Sequence, residues 1–476
     1  MPKPILIVGA GPAGLALARL LYQRGLVAKV FDAQTNRSER GLGLWGRSQV
    51  ALRSLGCAAL LDDPSRTLRI PPAAYRSHAG VWLSSASATI ENDERVAAVR
   101  ESDLLSALGD GLPDGAVNRG KSLVGADVVA DGVVLTFEDG SRVEGAAVVG
   151  ADGTRSAVRR LAFGADAPAA TDSGFGVHSG VFAALNSADA QHDELARGAL
   201  LRNAAPTVDD GETATPRMGA STPPPRRPFE TLARGRRFAM VPLPDGGGFW
   251  FASRPLEAGS SAEGSGAGAL RLLRDAYDGW HAPIPQVLHA AACAAAEAAM
   301  ATSAGSGGAA DGGAHVRWER VYEAPRLARW HHGRAVLVGD AAHGMPHNLA
   351  QGAACAIEGA FLLGSSIAEA LSATSASSRA DGDGHAGEAS ALEAAFAAYQ
   401  AAHEPRVRQC RLTTHFTAML AEPASPATEG LRNAMALVPQ PLNSMVFDTA
   451  LAVSLGDAPA STRARWPLGV DGRPYP

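Results

Sequence analysis

Four apolar residues at positions 5–8 precede a glycine-spaced turn, and an apolar helical repeat then runs to about residue 21. That order predicts a strand buried on both faces with a helix packed on it. A second apolar stretch, 28–31, ends at Asp32. Residues 34–40 are polar and read as a loop, 41–46 are glycine-rich, and a helix is expected from about 48 to 55. From 68 to 94 the pattern weakens into short β-like segments at 80–83 and 86–90, and a helix returns over 101–108. Three β-branched runs, 126–129, 133–137 and 143–149, are separated by Asp131-Gly132 and Asp139-Gly140, which predicts an antiparallel meander.

Beyond residue 165 strand-like stretches recur at 177–185 and as a hairpin over 237–252 that turns at 245–248. Helices are expected near 269–280 and 286–300, with loops at 207–227, 259–268 and 303–313. Residues 334–338 predict another strand, followed by a long turn and a helix that continues past Leu363. The tract 372–389 reads as a linker, 391–414 as a helix, and the region after Ala421 as a proline-punctuated tail without a further domain. No internal repeat is visible.

The turn after the first strand is Gly9-Ala10-Gly11-Pro12-Ala13-Gly14. Gly9 permits the tight turn, Gly11 lets a pyrophosphate reach the backbone, and Gly14 lets helix and strand approach. Asp32 stands where a carboxylate can accept a ribose hydroxyl, so the segment reads as a dinucleotide site. Two more strand-turn-helix units follow. In one, Asp152 and Gly153 are placed to meet a cofactor hydroxyl or phosphate; in the other, Gly339 and Asp340 sit at a strand end. The N–H groups of Gly352, Ala353 and Ala354 open a helix and can face developing negative charge. Arg100, at the start of the 101–108 helix, is a candidate phosphate contact.

Net charge is −5, from 43 basic and 48 acidic residues, without a basic block, which argues against nucleic acid as a partner. The apolar N-terminal run is interrupted by three glycines, Pro12 and Arg19, so no integral membrane anchor is expected. Four dispersed cysteines fit neither a disulfide framework nor a zinc site, and free thiols in a reducing, cytoplasmic setting are expected. No metal-ligand cluster is visible: His343 and His347 are four apart but lack a glutamate-bearing helix.

Three motifs in order, Gly9–Gly14 with Asp32, Gly150–Gly153 with Arg159, and Gly339–His343 with Pro346, resemble the single-component flavoprotein monooxygenases of the aromatic hydroxylase type. The segments 241–250 and 399–408 extend the resemblance over most of residues 1–410. It implies an α/β fold: a Rossmann-like, glutathione-reductase-type FAD-binding domain (1–75, 95–165 and 325–370), an inserted mixed β-sheet substrate domain (76–94 and 166–324) and a C-terminal helical region (390–476). It also implies non-covalent FAD, with Asp32 on the adenosine ribose and Asp340 on the ribityl chain. NAD(P)H would be a transient electron donor sharing the Asp152-Gly153 stretch. O2 would add at the flavin C4a position, and the hydroperoxide would transfer one oxygen atom to an aromatic or other electron-rich small organic substrate.

Pro346 would lie beside the isoalloxazine, and the backbone from Gln351 to Ala354 would face its pyrimidine edge. His343 reads as either a structural histidine near the flavin loop or a catalytic one. His178, Trp250, His347 and Asn348 are candidates because their segments should line the cavity between the domains. The sequence departs from the family pattern at Glu101, where an arginine is usual, and at Ala350, Ala354 and Gly359, where glycine, asparagine and aspartate are usual. Gly46-Arg47 replaces a common Pro-Asn and would bring the Arg47 guanidinium near the flavin. Two alternatives stay open on sequence alone: a flavin reductase or dehydrogenase that inserts no oxygen, and a flavin-binding regulatory protein that docks through its proline-rich loop at 221–228.

Overall fold

The computed structural model describes residues 3–35, 37, 39–71, 73–84, 96–129, 131–164, 167–182, 228–256, 267–281, 283–303, 316–381, 384–421 and 425–434. The β segment expected at 86–90 and nearly all of the loops expected at 207–227, 259–268 and 303–313 lie outside the described residues.

β1 (Ile5–Val8) buries all four side chains and leads into α1 (Pro12–Gln23). Pro12 occupies the first turn, where an N–H would lack an intrahelical partner anyway. β2 (Ala28–Asp32) runs parallel to β1, with Ala28 beside Ile5. The glycine-rich segment forms a strand, β3 (Gly41–Leu44), followed by α2 (Gly46–Ser54) and α3 (Ala58–Asp62). Next come β4 (Thr67–Ile70), β5 (Ala74–Ser77), β6 (Trp82–Ser84), β7 (Val96–Arg100) and α4 (Glu101–Gly109). β7 is flanked antiparallel by β3 and β4. β8 (Val117–Arg119) adds to the free edge of β2.

The meander forms from β9 (Leu123–Val129), β10 (Gly132–Phe137) and β11 (Arg142–Gly145), but the third apolar run serves two sheets. It breaks at Gly145, where a Cβ would lie 2.6 Å from the Pro4 carbonyl oxygen. β12 (Ala147–Gly150) then crosses to pair with β1. Such a close backbone approach is invisible to hydrophobic periodicity. α5 (Ala157–Ala162) follows.

The inserted region supplies β13 (Thr171–Phe182), β14 (Phe229–Ala233), β15 (Arg236–Pro242), β16 (Gly248–Pro255), α6 (Ala267–Ala276), α7 (Ile284–Ser303) and β17 (Arg317–Glu323). Together with β5 and β6 they make a seven-stranded sheet ordered β17-β13-β16-β15-β14-β5-β6. One face, with Phe238, Met240, Trp250 and Ala252, packs on Leu273, Tyr277, Ile284 and Leu288 of the helical layer. The other face, with Val177, Ala239, Phe249 and Phe251, turns toward β3, where a Cβ on Gly41 would lie 2.6 Å from that of Phe249.

β18 (His331–His332) and β19 (Ala335–Leu337) complete the first sheet, ordered β18-β19-β12-β1-β2-β8. α8 (Asp340–His343) and a 3-10 turn (His347–Leu349) lead to α9 (Gly352–Asp381), α10 (Gly384–Ala421) and α11 (Pro426–Ala434). The tract expected as a linker is therefore helical on both sides of 382–383: its alanines favour helix, and α9 packs lengthwise on α10. The Gly359 departure follows from that packing, since a Cβ there would lie 2.9 Å from Nε2 of His403. Among the described residues α9 is the one helix long and apolar enough to cross a membrane, over Gly352–Thr374, and 72% of that window is buried inside the protein.

A Cβ on Gly14 would sit 1.9 Å from the Gly9 carbonyl oxygen. Gly14→Ala should therefore destabilise the protein by about 1–3 kcal/mol, read as a lower urea midpoint; an unchanged midpoint would contradict the contact.

Candidate active site

Three strand ends of the first sheet converge at one edge. Gly9 lies against the second motif, where a Cβ would meet the Ala151 carbonyl oxygen at 2.2 Å. Around Gly11 the space is open, with Nη1 of Arg37 the nearest side-chain atom, at 3.9 Å. Asp32 is buried and accepts hydrogen bonds from the N–H groups of Ala10 (3.1 Å) and Gln34 (2.9 Å) and from Nη2 of Arg37 (2.6 Å). Burial pushes its carboxyl up, but Arg37 and the two N–H groups hold it below the ordinary value, ionised and able to accept a ribose hydroxyl.

The basic residue expected beside this turn was Arg100, and the structure corrects that. Arg100 ion-pairs with Asp245 at the β15–β16 turn. Its neighbour Glu101 is buried and takes a two-pronged contact from Arg40, Nε to Oε2 at 2.7 Å and Nη2 to Oε1 at 2.9 Å, with Arg37 at 3.9 Å. Adjacent residues at the strand-to-helix junction point in opposite directions. The guanidinium beside the glycine turn is thus that of Arg37, with Arg40 joined to it through the shared Glu101 carboxylate; both come from the polar 34–40 segment. Burial raises the Glu101 carboxyl and the Arg40 contact more than offsets it, so the net shift is downward.

In the second motif the Asp152 carboxylate caps α5. Oδ1 accepts from Oγ of Ser156 (2.6 Å), and Oδ2 accepts from the N–H groups of Ala157 (2.7 Å) and Val158 (3.1 Å). Gly153 has no side chain or backbone within 4 Å of its Cβ position. Arg159, buried, donates to the carbonyl oxygens of Thr154 (2.6 Å) and Ala341 (2.7 Å), which ties the second motif to the third. Gly339 turns with φ 62°, and Asp340 is exposed to solvent yet lies deep among protein groups, so it lines a crevice. That surrounding raises its carboxyl, and Arg40 opposes the shift.

At the far end of the crevice Pro346 precedes the 3-10 turn and Ala350 closes it in the left-handed region, φ 50°. A side chain in that conformation is strained by about 1–2 kcal/mol; Trp45 holds it by donating from Nε1 to the Ala350 carbonyl oxygen at 3.2 Å. Gln351 is buried, Gly352 and Ala353 are half-buried, and Ala354 packs fully against Trp45. The N–H groups of Gly352, Ala353 and Ala354 lie in the first turn of α9, where no intrahelical acceptor exists. Behind them Arg406 donates to Oε1 of Gln351 (3.0 Å) and pairs with the buried Glu358 (3.4 Å); the positive charge of Arg47 acts on the same glutamate.

His343 is 1% exposed, with ring contacts to Trp330 and His403 at 5.3 Å each, and neither ring nitrogen has a partner among the described residues. It is held by packing, not by side-chain hydrogen bonds. His347 meets Phe251 edge-on at 5.0 Å, and Nδ2 of the buried Asn348 is unpartnered among the described residues. Burial holds both histidines at about 3.

His178 and Trp250, expected to line the cavity between the domains, face away from it. Trp250 stacks on Phe238 at 5.9 Å within the α6–α7 core, and its cross-strand neighbour Gly180 places His178 on the same face, away from β3. The crevice side of β15 and β16 instead presents Phe249, Phe251 and Arg237. Arg237 is fully buried, lies 4.7 Å over the Phe251 ring and pairs with Glu230 at 3.1 Å. The usable signal was strand alternation with a charged residue inside an apolar hairpin. Among the described residues no three metal-ligating side chains come together.

Open backbone at Gly11 and Gly153, the ionised Asp32, the crevice-lining Asp340 and the free first turn of α9 fit a dinucleotide cofactor along this edge. A family described as FAD binding domain matches residues 3–219 and 309–393. Over 366 residues the chain is 26% identical to an aurachin C monooxygenase/isomerase of Stigmatella aurantiaca, covering 75% of this chain and 79% of that enzyme. It is 24% identical over 387 residues to a 6-hydroxynicotinate 3-monooxygenase of Pseudomonas fluorescens, covering 77% and 82%. A crystal structure of Klebsiella pneumoniae HpxO with FAD and uric acid superposes with a TM-score of 0.68 at 20% identity, covering 94% and 97%, which shows the shared fold.

Burial first, and the charge of Arg254 second, hold His178 at about 4 against an ordinary 6.5. The unfolded chain takes up this proton near pH 6.5 and the folded chain only near 4, so stability is full above 6.5 and declines as pH falls. His178→Leu should flatten the pH dependence of unfolding free energy between 6.5 and 5 by about 1.4 kcal/mol per pH unit. Urea titrations across that window check it; parallel slopes would contradict it.

Proposed function

The chain belongs to the FAD-binding-domain family, and on that premise we propose that it is an FAD-dependent monooxygenase that uses NAD(P)H and O2 to hydroxylate an aromatic or similarly electron-rich small molecule. The observation that carries the reading is one juxtaposition: the Pro346–Asn348 turn, at the end of the cofactor crevice, faces an aromatic wall of Phe249 and Phe251 on a separate sheet. The curated relatives named above, both monooxygenases, support the same chemistry.

When bound, FAD would accept hydride from the nicotinamide and activate O2. Asp32 would hold the adenosine ribose, Arg37 and Arg40 the phosphates, and Asp340 the ribityl chain. The first turn of α9, with Gln351 to Ala354, would stabilise negative charge at the flavin's pyrimidine edge. On the substrate side, Phe249 and Phe251 exclude water and stack against an aromatic ring. His347, neutral across physiological pH, would serve as a hydrogen-bond partner to a substrate hydroxyl. The Arg237–Glu230 pair lies behind Phe251 and sets the polarity of that wall.

The reaction is tested by following NADPH and NADH oxidation, H2O2 and product with a panel of phenols, anthranilates and hydroxylated N-heteroaromatics under 18O2. One class should accelerate nicotinamide oxidation while a single labelled oxygen enters product and H2O2 falls below the NAD(P)H consumed. Acceleration with no label in any product would turn the reading toward a reductase. For the cofactor site, Asp32→Ala and Asp340→Ala should each weaken FAD binding by about 10- to 100-fold, measured by titrating apoprotein and following flavin fluorescence. Unaltered affinity in both would move FAD elsewhere.

A further inference from the structure

Two of the four cysteines, placed far apart in the chain, meet in the fold. Sγ of Cys355, in the first turns of α9, lies 3.6 Å from Sγ of Cys410 on α10, and both side chains are fully buried. Cys410 donates to Oε1 of Gln351 at 3.1 Å, and the same oxygen accepts from Arg406 at 3.0 Å. Gln351 immediately precedes the turn that would face the flavin, and Asp340 of the crevice lies 3.9 Å from the Cβ position of the adjoining Gly352. The dithiol is therefore separated from the crevice wall by a single residue.

We propose that Cys355 and Cys410 are a peroxide-reactive dithiol, a modification site that closes to a disulfide joining α9 to α10. The oxidant is hydrogen peroxide, and its local source rests on the function proposed above, because reduced flavin that meets O2 without delivering oxygen to substrate yields it. The two sulfurs must close from 3.6 Å to about 2.05 Å. Cys410 is the attacking thiol. The hydrogen bond from Cys355 and the neighbouring Arg406 guanidinium hold it below the usual thiol range, whereas Cys355 is raised by donating that bond and by burial. Cys410 sulfur attacks one peroxide oxygen, the O–O bond breaks, and the departing hydroxide leaves as water with the Cys410 proton. The Cys355 sulfur then attacks the resulting sulfenic acid, the S–O bond breaks, and a second water leaves with the Cys355 proton. The two thiols lose two electrons and the peroxide gains them.

The test treats the FAD-loaded protein with one equivalent of H2O2 and counts thiols after denaturation. The count should fall from four to two, the intact mass should drop by about 2 Da, and peptide mapping should join Cys355 to Cys410, all reversed by dithiothreitol. Cys355→Ser should trap a dimedone-reactive sulfenic acid at Cys410, and Cys410→Ser should leave Cys355 unlabelled. Oxidation confined to the exposed Cys293, or equal labelling of the two serine variants, would overturn the assignment. A second arm supplies NADPH in air without substrate, with and without catalase. A disulfide that catalase prevents supports the local source. If added peroxide forms the disulfide but turnover does not, the dithiol stands and the local peroxide source fails; the flavin reading falls only if NADPH and NADH leave the bound flavin oxidised with every substrate class.

Discussion

The fold depends on one backbone contact: the turn after β1 lies so close to the second motif that no side chain fits between them. Gly9 touches the Ala151 carbonyl and Gly14 touches Gly9, so α1, β1 and β12 are locked at van der Waals distance at their functional ends. Because β1 is central in the sheet, everything added on either side inherits that alignment. β2 carries Asp32 to one flank, and β19 carries Gly339 and Asp340 to the other. Arg159 secures the arrangement by bonding to carbonyls of both later motifs from a buried position.

The seven-stranded sheet meets this unit through another missing side chain, Gly41 against Phe249. It divides its residues by face: one face is mainly apolar against α6 and α7, with the buried His178 on the same side, and the other is aromatic with an embedded ion pair, Arg237 and Glu230. A buried ion pair adds little net stability against an apolar alternative, and this one sits on the crevice side in contact with Phe251.

The helical hairpin of α9 and α10 gives the crevice its floor. Its interior holds a polar chain, Glu358, Arg406, Gln351 and the two cysteines, that begins beside the strained Ala350. Strain of that kind persists where the surroundings over-determine it, and Trp45 and Ala354 do so here.

Local order, spacing and backbone chemistry were decided by the sequence itself. The Gly9–Gly14 turn, Asp32, the Asp-Gly hairpins and the strand-turn-helix at Gly339 each need particular residues at particular offsets, and offsets survive without a fold. Facing and partnership were decided only by the tertiary structure. Which of Arg100 and Glu101 turns inward, whether Trp250 or its neighbours Phe249 and Phe251 face the crevice, and that Arg37 and Arg40 pair with the buried Asp32 and Glu101, all depend on sheet register and on what packs opposite. The split of residues 143–149 between two sheets and the helical continuation through 372–381 belong to the same class. A strand's alternation states that two faces exist; only the element packed against it says which one is the site.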